Sequence, residues 1–221
     1  MNRLFHVPLS PFCRKVRLSL AEKKLEVELV EERYWEQSPD FMRRNPAGKV
    51  PVLKIDGIMM SESSAICEYL EEAYPEPSLM PKNAADRFET RRLVSWFDDK
   101  FHNEVTSKLL YERVNKKITG DGYPDSKNVK SGAQKIKYHL DYMAWLLDQR
   151  RWLAGDVMTL ADFAAAAHLS SLDYISDVDW NRSDIVKDWY AKIKSRPAFR
   201  GILADNVPGF PAPAHYADLD F

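Results

Sequence analysis

The chain has 221 residues, of which 45% are hydrophobic and 29% charged, enough apolar material to bury a sizeable core and too much for a disordered chain. Thirty-two basic side chains against 33 acidic ones leave a net charge of -1, which excludes the broad positive field that nucleic-acid or anionic-membrane binding draws on. Only Cys13 and Cys67 are present, too few for a disulfide framework and without metal-site spacing, so no metal is expected and a reducing compartment is.

The opening segment MNRLFHVPLSPFC has no apolar run of signal-peptide length, and nothing later approaches the roughly 18 apolar residues of a membrane span; a cytoplasmic protein is expected. From residue 3 to 74 short apolar runs alternate with helical patterns, the mark of βαβ units and a mixed sheet. Residues 4–7 read as a strand ending at Pro8. Phe12, Val16 and Leu20 then recur every four residues, with Arg14, Lys15 and Arg17 between them, as on a helix with one apolar stripe. Residues 27–30 read as a strand and 39–44 as a short helix. Residues 50–55 and 58–60 flank Asp56-Gly57, a pair that accepts the positive φ angles of a type I′ hairpin turn. Ile66, Tyr69, Leu70 and Ala73 mark a further helix.

Pro75, Pro77 and Pro81 cannot continue that helix. Beyond them the apolar spacing is helical, through Leu93, Phe97, Phe101 and Val105 and again through Tyr138, Tyr142, Trp145 and Leu146, with one break at residues 120–125. Thr159 and Asp162 have the spacing of a capping box, with Met158 and Phe163 as its staple; they open either a folding nucleus or an ordinary well-capped helix. The expected organisation is an α/β domain over 1–75, a linker over 76–84, an all-helical domain over 85–204 and an extended tail over 205–221.

Three segments can carry chemistry. Ser10-Pro11-Phe12-Cys13 joins a strand to a helix N-terminus, where unpaired N–H groups favour a thiolate; Ser10 either bonds a ligand sulfur or only caps the helix, and Cys13 can be plain core. Val50-Pro51 precedes a strand, and a cis bond there would turn the Val50 backbone toward an extended peptide, with Lys49 beside it to face a carboxylate; a plain turn into an edge strand is the other reading. Glu62-Ser63-Ser64 opens the Ile66 helix, where hydroxyls and N–H groups can hold a carboxylate and Glu62 an ammonium, or can simply cap.

In that order and spacing, and with the Thr159 box, these segments resemble the glutathione transferase superfamily over essentially the whole chain. The resemblance implies a thioredoxin-like N-terminal domain followed by a C-terminal helical bundle. It puts Ser10 at the catalytic hydroxyl or thiol position, Val50 and Pro51 on the cysteinyl backbone of glutathione, and Glu62 and Ser63 on its γ-glutamyl end. Cys13 takes the second cysteine position of a redox CxxC motif whose first position Ser10 fills.

Tyr34-Trp35-Glu36, residues 96–101, 103–105, 152–156 and 164–169, and the ending HYADLDF resemble a narrower group, the FtsZ-binding, transferase-like division proteins of alphaproteobacteria. That likeness implies a homodimer that binds FtsZ filaments at the division site, promotes their curvature and supports constriction, without established glutathione turnover. The alternative is a glutathione S-transferase that conjugates a small electrophile, with Ser10 stabilising the thiolate. Trp35 is either a partner or dimer anchor or a lid on its own fold. After the helix-forbidding run 208–213, Tyr216, Asp218, Leu219, Asp220 and Phe221 form an apolar and acidic ending, either a partner-binding peptide or a strap on the protein's own surface.

Overall fold

The computed structural model describes residues 1–219; Asp220 and Phe221, two of the expected partner-binding residues, lie outside them. The first half runs β1 (Arg3–His6), α1 (Pro11–Glu22), β2 (Glu28–Glu31), α2 (Pro39–Arg44), β3 (Val52–Ile55), β4 (Ile58–Ser61) and α3 (Ser63–Ala73). Its sheet has the order β2-β1-β3-β4, with β1 and β2 parallel and β3 antiparallel to both neighbours. Asp56 (φ 51°) and Gly57 (φ 83°) both take the positive φ that a type I′ turn demands. Side chains alternate across the strands. The cross-strand pair Leu4 and Leu53 faces the main core, while its neighbours Phe5 and Val52 pack with Phe41 of α2.

The second half is helical: α4 (residues 84–119), α5 (Ser126–Gln149), α6 (Leu160–Asp173), α7 (Asp184–Lys194) and the single turn α8 (Arg200–Leu203). Helix α4 is continuous but changes winding, with wider i→i+5 turns over Trp96–Thr106 and Tyr111–Asn115. Its apolar stripe explains why. Leu93, Phe97, Phe101, Val105 and Leu109 are spaced strictly by four and all are fully buried. On a regular α-helix such a stripe drifts by about 40° at each step and would leave the core; wider turns rotate less per residue and bring it back.

Every residue of α6 is buried, as suits the apolar sequence LADFAAAAHLSSLD. The Thr159 capping box forms: Asp162 Oδ2 accepts from Thr159 N at 2.8 Å, and Asp162 Oδ1 also accepts from Leu153 N and Trp189 Nε1. Helix α1 packs along α6, and there the structure departs from the expected pattern. Arg14, Lys15 and Arg17, which separate the apolar stripe residues, do not face water but are buried against the helical half. Arg14 and Arg17 meet Asp205, and Lys15 pairs with Asp98 of α4. A second departure lies on α5, where Tyr138 and Trp145 of the expected stripe are more than half exposed while Leu146 is core. The two rings belong to a surface ladder: Trp145 stacks on Tyr142, which meets Trp96 at 4.5 Å, and Lys100 lies over Trp96 and Tyr138.

Candidate functional site

A cleft of about 660 Å³ opens between the two halves, and it collects the expected ligand residues Ser10, Lys49, Val50, Pro51, Glu62 and Ser63 together with Trp35. Three chain turns place them. Ser10 follows β1 and caps α1: its Oγ accepts from Cys13 N at 3.3 Å, with Pro11 at the first helical position. The cap occupies one lone pair and leaves the O–H to donate into the cleft, so capping and ligand binding are compatible roles. Cys13 is fully buried, and burial pushes its thiol up to about 11. An anion at this helix terminus is therefore a ligand's, because Cys13 stays protonated near neutrality.

The Val50-Pro51 bond is cis. Val50 is half-buried at the wall, and the turn before it is held by Asn45, whose Nδ2 donates to Lys49 O at 2.8 Å. Lys49 is exposed at the mouth. Glu62 stands immediately before α3 with φ 68° and ψ 109°, a sparsely populated conformation for a residue with a side chain. Its carboxylate is exposed, Ser63 behind it is buried, and the unpaired N–H groups of the first α3 turn lie beside them. Ser64 is not available to a ligand in the same way. Its hydroxyl accepts from Lys15 Nζ and donates to Asp98 Oδ2, both at 3.0 Å.

The opposite wall is helix α4. Asp98, His102, Thr106 and Leu110 line the cleft, as do Asp99, Asn103, Ser107 and Tyr111. Both sets repeat every four residues and run beside the buried stripe, so the winding that keeps Leu93 to Leu109 in the core also aims these side chains into the cleft. Sequence reasoning placed only the stretch from Tyr111 onward near a pocket and did not single out Asp98, His102, Thr106, Leu110, Asp99, Asn103 or Ser107 as cleft residues, although the four-residue period of the apolar stripe, shifted by one and by two, picks them out. His102 and His168 sit under Phe12 with ring centroids 4.8 and 5.6 Å away. Burial lowers both imidazoles, His102 to about 4. Burial would raise Asp98, but Lys15 and His168 outweigh it and hold the carboxyl at about 2. The floor thus carries neutral imidazoles beside a neutralised ion pair.

Trp35 is half-buried on the rim, edge-on to Tyr34 at 5.4 Å. The expected tail contacts divide. Asp218 and Leu219 are exposed, whereas Tyr216 is fully buried, its hydroxyl donating to Ile202 O at 3.0 Å. Tyr216 is therefore not a surface contact for a partner; its ring is spent on seating the tail against this chain's own core.

Two family models match the chain: one described as "Glutathione S-transferase, N-terminal domain" over residues 4–78, and one described as "Glutathione S-transferase, C-terminal domain" over residues 101–204. FtsZ-localized protein A of Caulobacter vibrioides is 48% identical, the match covering 99% of this chain and 97% of that protein. The solved structure of FzlA from C. crescentus agrees with a TM-score of 0.96 at 47% identity, over 100% of this chain and 99% of that one. A glutathione S-transferase from Rhodospirillum rubrum F11 reaches a TM-score of 0.97 at 51% identity over 100% of both chains. Glutathione S-transferase 3 of Zea mays is more distant, 29% identical over 97% of this chain and 98% of that protein.

Proposed function

The chain belongs to the glutathione S-transferase family, and from that premise we propose that it is an FzlA-type cell-division factor that binds FtsZ filaments, promotes their curvature and supports constriction. The observation that carries this reading is the end-to-end likeness to FtsZ-localized protein A. Trp35 on the rim and Asp218 and Leu219 at the tail are the partner contacts of this proposal, joined by Asp220 and Phe221 beyond the described residues. A cytoplasmic location at the division site goes with it, as does the division of the chain into 1–75, 76–84, 85–204 and 205–221. No helix among the described residues is long and apolar enough to cross a membrane.

A homodimer is part of the same proposal. Ile58 and Met59 on the edge strand β4, Phe88 on α4, and Tyr138 and Trp145 on α5 are large apolar side chains left exposed, and a two-fold pair of copies is the arrangement that would cover such side chains.

Pelleting with FtsZ filaments tests the reading: co-sedimentation is expected, and its absence under conditions where FtsZ-localized protein A pellets would overturn it. A second reading, glutathione conjugation with Ser10 stabilising the thiolate, is favoured by the free Ser10 O–H at a helix terminus whose own cysteine stays protonated. Lys49, Val50, Pro51, Glu62 and Ser63 are its proposed glutathione contacts. Saturable glutathione binding in calorimetry is expected of it, and no heat at millimolar ligand would rule it out.

A further inference from the structure

The tail does not lie loose on the surface. Tyr216 packs edge-on against Tyr174 with centroids 5.1 Å apart, and the Arg14 guanidinium stands 5.9 Å from its ring centre. Arg14 is itself fully buried, one turn after Ser10, and its donors go to three regions at once. Nε donates to Pro8 O at 2.8 Å, Nη1 to Ser170 Oγ at 2.9 Å on α6, and Nη2 to Asp205 Oδ2 at 2.9 Å, where the tail begins. Pro8 lies two residues before Ser10, whose own N–H closes the same loop onto Val7 O at 3.1 Å. A single buried guanidinium thus grips the loop that presents Ser10, the root of the tail and the ring that anchors it.

We infer that Arg14 ties the seating of the tail to the geometry of the Ser10 loop, so that a partner drawing residues 214–219 off their seat loosens the first turn of α1 at the cleft. The partner's part in this rests on the function proposed above, whereas the Arg14 link stands without it. Coupling of this kind is reciprocal, so a ligand that tightens the Ser10 loop also favours the seated tail.

The two cysteines make the test. Both are buried, Cys13 beside Arg14 and Cys67 on α3, so Cys67 serves as an internal control for general loosening. Iodoacetamide labelling read at each site by mass spectrometry is expected to rise roughly tenfold at Cys13 in Tyr216→Ala, with Cys67 unchanged, because the cation–ring contact that holds Arg14 is lost. Tyr216→Phe keeps that ring and is expected to stay near the wild type. Unchanged Cys13 protection in Tyr216→Ala, or an equal rise at both thiols, overturns the link; Tyr216→Leu, which keeps buried apolar volume but no aromatic face for Arg14, provides the same readout should Tyr216→Ala not fold. Adding FtsZ filaments to the wild type separates the two readings. Pelleting with unchanged Cys13 labelling overturns the partner's effect on α1, while absence of pelleting overturns the proposed function and leaves the Tyr216 result to decide the link.

Discussion

Helices α1 and α6 lie against each other between the two halves of the molecule, and both bury polar groups, by different means. Asp162 opens α6 fully buried and accepts from two backbone N–H groups, an indole and the Thr159 hydroxyl. Burial raises its carboxyl, and the donors counter that rise. Helix α1 instead buries Arg14, Lys15 and Arg17, and neutralises them with the carboxylates of Asp98 and Asp205, which come from the helical half, alongside neutral acceptors such as Ser64, Ser170 and Gly201. The α6 device centres on one carboxylate at the start of its own helix; the α1 device joins one half of the chain to the other. The second borders the cleft, because Lys15 bonds the cleft residues Ser64 and Asp98 and Arg14 holds Pro8 O in the loop that leads to Ser10.

Removing one partner breaks either device, and these are the largest effects expected. Asp98→Ala leaves Lys15 buried without its counter-charge, and Asp162→Ala strands buried donors; each should lower unfolding free energy by about 3–5 kcal/mol in denaturant titration. Rescue separates them. Lys15→Met added to Asp98→Leu should recover most of the loss, since an apolar pair of similar size can replace a buried ion pair. No single second change can rescue Asp162→Ala, because Leu153 and Thr159 offer backbone donors that substitution does not remove. Full recovery of Asp162→Ala by a single side-chain change would erase the distinction.

The same difference explains what was legible in the sequence. Thr159 and Asp162 are three residues apart, so their box could be read directly, as could the Asp56-Gly57 turn, the short helix Pro39–Arg44 and the Ser10, Val50 and Glu62 segments, all set by local chemistry. The partners of Lys15 and Arg14 lie 83 and 191 residues away, and nothing local distinguishes a buried cation of that kind from a solvated one. His102 was hidden for another reason: a charged or polar residue beside an apolar stripe reads as surface until the partner wall is known. Tyr216 resembled a partner contact because aromatic residues in a proline-rich ending suit a groove, and the groove proved to be the chain's own.

Acid should reach the two devices in sequence. Burial lowers His6, His102 and His139 each to about 4 and lowers His168 of α6 as well. The unfolded chain protonates His6, His102 and His139 near pH 6.5 and the folded chain does so only near 4, so their contribution to stability is full above 6.5 and falls as pH drops between those values. Asp98, held at about 2, keeps its contribution until pH falls below its ordinary 3.8. Denaturant midpoints should therefore decline first between pH 6.5 and 4, with His102→Asn removing about one proton from that slope. A flat profile down to pH 4 would show that these imidazoles are protonated in the fold.

The smallest effects concern the two helix caps, where the comparison can be made on equal chemistry. Thr159→Ala should cost about 1 kcal/mol, the usual value of a lost side-chain cap. Ser10→Gly should cost only a few tenths of a kcal/mol, because glycine is tolerated at this position and Pro11 already fixes the first helical φ. That small cost is useful. The glycine variant deletes the Ser10 hydroxyl while leaving the helix, so stability and ligand binding can be measured apart. If the O–H serves a thiolate, glutathione affinity in calorimetry should fall roughly tenfold or more, since hydrogen bonds to charged groups are the stronger kind. Filament pelleting, which the proposed function assigns to Trp35 and the tail, should not change. Unaltered glutathione affinity in Ser10→Gly would leave the residue a cap and nothing more, and would place it with Thr159 on the structural side of the comparison.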